Sequence, residues 1–107
     1  MSLEKNLKIS RLFDEYSAVL SENQKLVMTE YYFEDKTLSE IAQNLTISRQ
    51  AVLDTIKKSE DKLLEFEDKF KLVEKVEGLQ EIINKFKTNQ ISKHQFVDEI
   101  ENKIKEI

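Results

Sequence analysis

Apolar residues recur along this chain at intervals of three and four, the mark of helices that bury one face. Ile9, Leu12, Phe13, Tyr16 and Leu20 predict a first helix over residues 3–20. Ser21 with Gln24 has the spacing of a capping box, in which side chain and backbone at a helix start satisfy each other's orphan N–H groups. It opens a second helix to about Phe33, with Val27, Met28, Tyr31 and Tyr32 as core candidates. Buried tyrosine hydroxyls would need partners or an exposed edge. The Tyr31-Tyr32-Phe33 cluster reads as core rather than as a platform for stacking bases, because it falls at a helix end.

The densest pattern is Thr37 to Glu60, TLSEIAQNLTISRQAVLDTIKKSE. Thr37 and Glu40 make another capping box, and Leu38, Ile41, Ala42 and Leu45 share one face of the helix it starts. Thr46 and Ile47 break the period. Ser48 suits the N-cap of a following helix whose Ala51, Val52, Thr55 and Ile56 face inward. The small Ala42 permits close approach, and Leu45, Ile47 and Val52 wedge the corner. This is the layout of a helix-turn-helix, which presents the exposed side of its second helix to a nucleic-acid groove. The corner calls for a left-handed residue, where Gly or Asn would fit better than Thr46.

Beyond Ser59 the spacing predicts one long helix carrying Leu63, Phe66, Phe70, Val73, Val76, Leu79, Ile83 and Phe86. The step from Val73 through Val76 to Leu79 departs from a strict heptad. Gly78 costs about 1 kcal/mol relative to Ala inside a helix and could mark a bend or break. Such a stripe must fold back on residues 1–33, pair with a second copy, or meet another protein; the first two together are expected. Residues 87–90 form a polar linker. Ser92 and Gln95 then cap a short last helix with Phe96, Ile100, Ile104 and Ile107 on one side. The expected architecture is all-α: a helical domain over 1–60 containing the helix-turn-helix (37–60), and a helical extension over 61–107 for packing or dimerisation.

Composition agrees and narrows the chemistry. The 107 residues include no Pro, one Gly and 36% charged residues, too few turn formers for a β fold. The absence of Cys removes disulfides and thiolate chemistry and suits a reducing cytoplasm. No apolar run approaches the roughly 20 residues of a membrane span, and the N-terminal stretch has no signal-peptide core. His94 is the sole histidine, so no metal site is expected, and no glycine-rich phosphate loop or nucleophile turn is present. Neither an enzyme nor a cofactor is expected. The net charge of −4 argues against tight non-specific DNA binding by a monomer.

The candidate binding face is therefore the outer side of the second motif helix: Ser48, Arg49, Gln50, Leu53, Lys57 and Lys58. Arg49 and Gln50 lie in the first turn, where Arg can bind guanine and Gln adenine with two hydrogen bonds each. Ser48, Lys57 and Lys58 suit phosphate. Asp54, which repels phosphate, and the apolar Leu53 instead favour a solvated face or a protein partner.

These residues carry a resemblance. Ile47-Ser48-Arg49-Gln50-Ala51-Val52, followed by Asp54, Ile56-Lys57-Lys58 and Glu60, closely resembles the YlxM family of small helix-turn-helix proteins, related to region 4 of bacterial sigma factors. The likeness covers roughly residues 7–75. The family often has an aromatic where Leu53 stands, which puts a stacking role there in doubt. The resemblance implies a cytoplasmic bacterial protein encoded beside the signal recognition particle GTPase and regulating that pathway, without catalytic residues. Two readings follow. One is a dimeric regulator that binds nucleic acid, DNA before the particle's RNA, since an A-form major groove is too narrow for a helix. The other is an adaptor that binds the particle GTPase through the 63–86 stripe or the Leu53 surface. A purely structural dimer is the remaining alternative.

Overall fold

A computed structural model describes the backbone of residues 3–106 and the side chains of residues 6–106. Among them are six α-helices and no strand: α1 (Leu3–Tyr16), α2 (Glu22–Met28), α3 (Leu38–Leu45), α4 (Arg49–Phe70), α5 (Leu72–Lys87) and α6 (Lys93–Glu106). The chain divides into two compact units, one ending at Phe70 and one beginning at Lys71.

In the first unit α4 is the spine, with α1, α2 and α3 packed against it. Most of the expected apolar positions supply the core: Ile9, Leu12, Tyr16, Leu20, Val27, Met28, Ile41, Val52, Ile56 and Leu63 are all buried, whereas Tyr31 and Tyr32 are half-buried and Phe33 is exposed. Each large aliphatic side chain taken from water contributes about 1.5–3 kcal/mol. The predicted first helix ends early, at Tyr16, and a 3-10 turn (Ser17–Val19) carries the chain to Leu20. The Ser21 capping box forms as expected: the Gln24 N–H donates to Ser21 Oγ (3.1 Å) and the Ser21 N–H to Gln24 Oε1 (2.9 Å). From Thr29 to Phe33 the second helix widens into a π-turn, where the Glu34 N–H reaches the Thr29 carbonyl. It stops at Asp35, left-handed at φ 56°. Glu30 is buried there and binds Lys36 Nζ at 2.7 Å, tying the turn that precedes α3.

Two cross-links hold the spine. Tyr16 donates to Glu67 Oε1 and Tyr32 to Glu60 Oε2, each at 2.5 Å. Burial, and then the bond to the Glu60 carboxylate, holds the Tyr32 phenol well above its usual pKa, so it stays a donor. Ser59 is fully buried and donates its hydroxyl to the Thr55 carbonyl at 2.7 Å, a small core position where the sequence suggested a boundary.

The single long helix expected after Ser59 does not form. It is interrupted at Lys71, whose φ of 56° and ψ of 29° are left-handed and stop the α4 hydrogen-bond ladder. Gly78, the expected place for a bend, sits within unbroken α5. Glu60, taken as the end of the first domain, lies inside α4, and the compact units divide after Phe70. The expected stripe is thus divided between the two units, and Phe70, Ile83 and Phe86 on it are exposed. Leu63 belongs to the first unit, with Phe66 beside Tyr16 (ring centroids 6.3 Å apart).

In the second unit α5 pairs with α6. Ile82 is buried between them and Phe86 stacks on Phe96 with centroids 4.8 Å apart. The linker closes with Asn89 left-handed and the Gln90 N–H on the Lys85 carbonyl (2.8 Å), which ends α5. Ser92 Oγ accepts from the Gln95 N–H at 3.1 Å and starts α6. Ile107, assigned to the apolar side of that helix, lies outside the described residues.

Candidate nucleic-acid interface

The corner is built from both sides by side-chain caps. Thr37 Oγ1 accepts from the Glu40 N–H and Glu40 Oε1 from the Thr37 N–H, both at 3.1 Å. Those bonds to Thr37 hold the Glu40 carboxyl below its ordinary pKa. Ile41 and Ala42 are buried, so α3 is fixed against α4 along the small residue. Thr46 takes the left-handed conformation at φ 57°, ψ 44° despite its branched side chain. The Thr46 N–H bonds the Gln43 carbonyl (3.3 Å) and the Ile47 N–H the Ala42 carbonyl (3.1 Å). This is a Schellman closure, which satisfies the last carbonyls of α3. Ser48 then caps α4, its Oγ accepting from the Ala51 N–H at 3.0 Å.

Val52 and Ile56 point into the core and fix the rotation of α4. Residues 46–50 are all exposed, as are Asp54, Lys57 and Lys58. Ser48, Arg49 and Gln50 therefore meet at the exposed start of α4, and Lys57 lies two turns along the side that carries Gln50. Leu53 is half-buried and offers only an edge. Ser48 Oγ accepts the cap bond yet keeps its O–H to donate to a phosphate. Gln50 Nε2 donates to Asp54 Oδ1 at 2.9 Å, so that bond must open before the amide can address a base edge. Asp61, exposed on the same side, is an acidic neighbour that the sequence reading left out; helical spacing from Gln50, Asp54 and Lys57 identifies it. Ile47, 39% exposed at the corner, adds an apolar tip. The buttresses Tyr16–Glu67 and Tyr32–Glu60 were also missed, since partners 51 and 28 residues apart leave no local signal.

His94, at the start of α6, is exposed and lies 3.6 Å from Asp98. No group of three or more His, Cys, Asp or Glu side chains is arranged to hold a metal ion among the described residues. Nor is any described helix long and apolar enough to cross a membrane.

A short helix, α3, meeting the longer α4 at a left-handed corner, with α4 capped and exposed at its start, defines a helix-turn-helix protein. The chain belongs to the YlxM/p13-like family of helix-turn-helix proteins, UPF0122, whose model matches residues 3–104. It is 44% identical over 87 residues to the UPF0122 protein YlxM of Bacillus subtilis strain 168, covering 81% of this chain and 79% of that one. A UPF0122 protein of Mycoplasma capricolum is 42% identical over 102 residues, 95% of this chain and 90% of its own. The family match runs well past the expected limit near residue 75, so α5 and most of α6 belong to the family pattern too.

Proposed function

We propose that the protein is a cytoplasmic, non-enzymatic regulator that binds nucleic acid, DNA in preference to RNA, through the exposed start of α4. The observation that carries this reading is the corner at Thr46–Ser48, which leaves Arg49 and Gln50 exposed in a first helical turn. Arg49 and Gln50 read base edges, while Ser48, Lys57 and Lys58 hold phosphates and Leu53 contributes a weak apolar contact. Two copies joined through residues 61–107 would place two such turns on one duplex, with half-sites about 34 Å apart or a multiple of that. The resemblance to the YlxM family directs the search toward the signal recognition particle pathway, with the particle RNA as the second nucleic acid to try.

Charge supports a selective rather than a tight binder. Residues 1–70 hold ten Lys and Arg against fourteen Asp and Glu, and residues 71–107 seven against seven. The whole excess of negative charge is on the unit that carries the motif. With two cations, Lys57 and Lys58, on phosphates, the logarithm of affinity should fall against that of salt with a slope of about −2 per copy. Fluorescence anisotropy on duplex DNA and on particle RNA, at several salt concentrations, tests this. Arg49→Ala should weaken binding by about 1–3 kcal/mol and reduce discrimination among sequences. Binding that ignores salt, or no binding to any duplex or to the particle RNA, would refute it.

A second reading has its own support. Ile47, the Leu53 edge, Asp54 and Asp61 form an apolar and acidic surface that suits a basic protein partner. In that reading the protein is an adaptor of the particle GTPase. It would be recovered on the immobilised GTPase after nuclease treatment, and Ile47→Asp would abolish recovery.

A further inference from the structure

Lys71 is the position where sequence and backbone disagree most. Four described residues other than Gly have positive φ: Asp35, Thr46, Lys71 and Asn89. Three of them end a helix and are followed, two or three residues later, by a side chain that caps the next: Thr37, Ser48 and Ser92. Asp35 and Asn89 are also types that tolerate the left-handed region. Lys71 has neither feature. α4 ends at Phe70 and α5 begins at Leu72, with no linker and no side-chain cap from Lys71.

The sequence around it favours continuing the helix. Asp68-Lys69-Phe70-Lys71-Leu72-Val73-Glu74 contains no Gly, Pro, Ser or Asn, and Lys and Leu are strong helix formers. Leu63, Phe66, Phe70 and Val73 repeat at three, four and three, so the apolar stripe runs through residue 71 in phase. A left-handed lysine thus costs local free energy that a helical one would not.

We propose that Lys71 is a two-position hinge: left-handed in the state described here, and right-handed in a second state where α4 and α5 join into one helix from Arg49 to Lys87. In the joined state the segment bearing Arg49 and Gln50 and the α5 stripe belong to a single rod. Movement of the second unit is then carried mechanically to the start of α4. The hinge concerns the backbone at residue 71 alone, and it stands or falls separately from the proposed binding function.

The chain has no Cys, so spin labels can be placed at Glu65→Cys and Lys87→Cys, both exposed positions. A continuous helix sets their backbone separation at about 33 Å from its rise per residue. A bend at residue 71 can only shorten that span. Pulsed electron paramagnetic resonance should show a component near this length with Lys71 and with Lys71→Ala. Lys71→Gly relieves the left-handed penalty and weakens the helix, so it should lower the ratio of joined to hinged molecules by at least about tenfold. The φ-dependent coupling of the residue 71 amide, measured by NMR on the unlabelled chain, should move the same way between the two variants. No component near 33 Å in any variant, or identical distances and couplings for Ala and Gly, would overturn the hinge.

Discussion

Replacing Thr46 by Gly should make the motif-bearing unit more stable, an unusual expectation for a substitution at the centre of a proposed binding motif. Thr46 holds φ 57° and ψ 44°, where a branched L side chain crowds its own backbone at a cost of about 1–2 kcal/mol. Its side chain is exposed, so truncation forfeits no core packing. Both closing bonds of the corner, Thr46 N–H to the Gln43 carbonyl and Ile47 N–H to the Ala42 carbonyl, are backbone bonds and survive the change. Against the relief stands the greater freedom of Gly in the unfolded chain, about 0.4–1 kcal/mol. The balance is a gain of about 0.5–1 kcal/mol, or a rise in Tm of a few degrees, ~2–6 °C. Asn, which accepts the same conformation without the full entropic loss, should match or exceed Gly, and Val should gain nothing. All three tyrosines lie before residue 33, so intrinsic tyrosine fluorescence during urea unfolding reports on this unit alone. A Thr46→Gly protein that is less stable than the parent, with an unchanged dependence on urea, would show that the corner is not left-handed at Thr46. The proposed presentation of Arg49 and Gln50 would then lose its geometric basis.

Gly78→Ala should stabilise the second unit by about 0.5–1 kcal/mol, because Gly78 lies inside α5 and an added Cβ meets the Lys103 side chain at 3.6 Å (Cε and Nζ) and 3.9 Å (Cδ), ordinary contacts. Far-UV circular dichroism on heating measures it, and a loss of stability would mean that the helix is not intact at residue 78. Glu40 gives a pH signature. Its carboxyl titrates below the ordinary value in the folded chain because it accepts from Thr37, so its contribution is present above the unfolded pKa and lost as pH falls through the folded one. The stability difference between the parent and Glu40→Gln should therefore shrink as pH is lowered through the glutamate range, and a difference that stays constant into acid would contradict the cap.

What could be read from the sequence is what local chemistry decides. The starts at Ser21, Thr37, Ser48 and Ser92 are visible because a capping side chain and its partner lie three residues apart. The core of the first unit is visible because Val52, Ile56 and Leu63 recur at helical spacing. Long-range chemistry was hidden. Tyr32 gives no sign of choosing Glu60, and Ser59 looks like a polar surface residue until Thr55 is seen to accept its hydroxyl within α4. Lys71 is the clearest failure, since every local preference there is for helix while its backbone is left-handed. The face of α4 was legible in part: helical phase gave the exposed side, while the Gln50–Asp54 bond depends on rotamers that no pattern encodes.

The acidic balance of the first unit bears on how a helix-turn-helix here could work at all. A binding face with cations and no carboxylates among them would attach to any duplex, since phosphate contacts carry no sequence information. On this face Asp54 and Asp61 alternate with Gln50 and Lys57, so a phosphate opposite either aspartate is repelled. Only a register that brings Lys57 and Lys58 to the backbone while Arg49 and Asp54 face base edges avoids that cost. In such a register Asp54 can accept from a cytosine amino group, and Gln50, released from it, is free for adenine. In the proposed binding mode the same carboxylates would weaken the average encounter and widen the gap between a matching site and all others, because discrimination is a difference of affinities. An acidic helix-turn-helix is on this account suited to few sites at modest affinity, and a second copy on the same duplex multiplies that affinity without restoring attachment elsewhere.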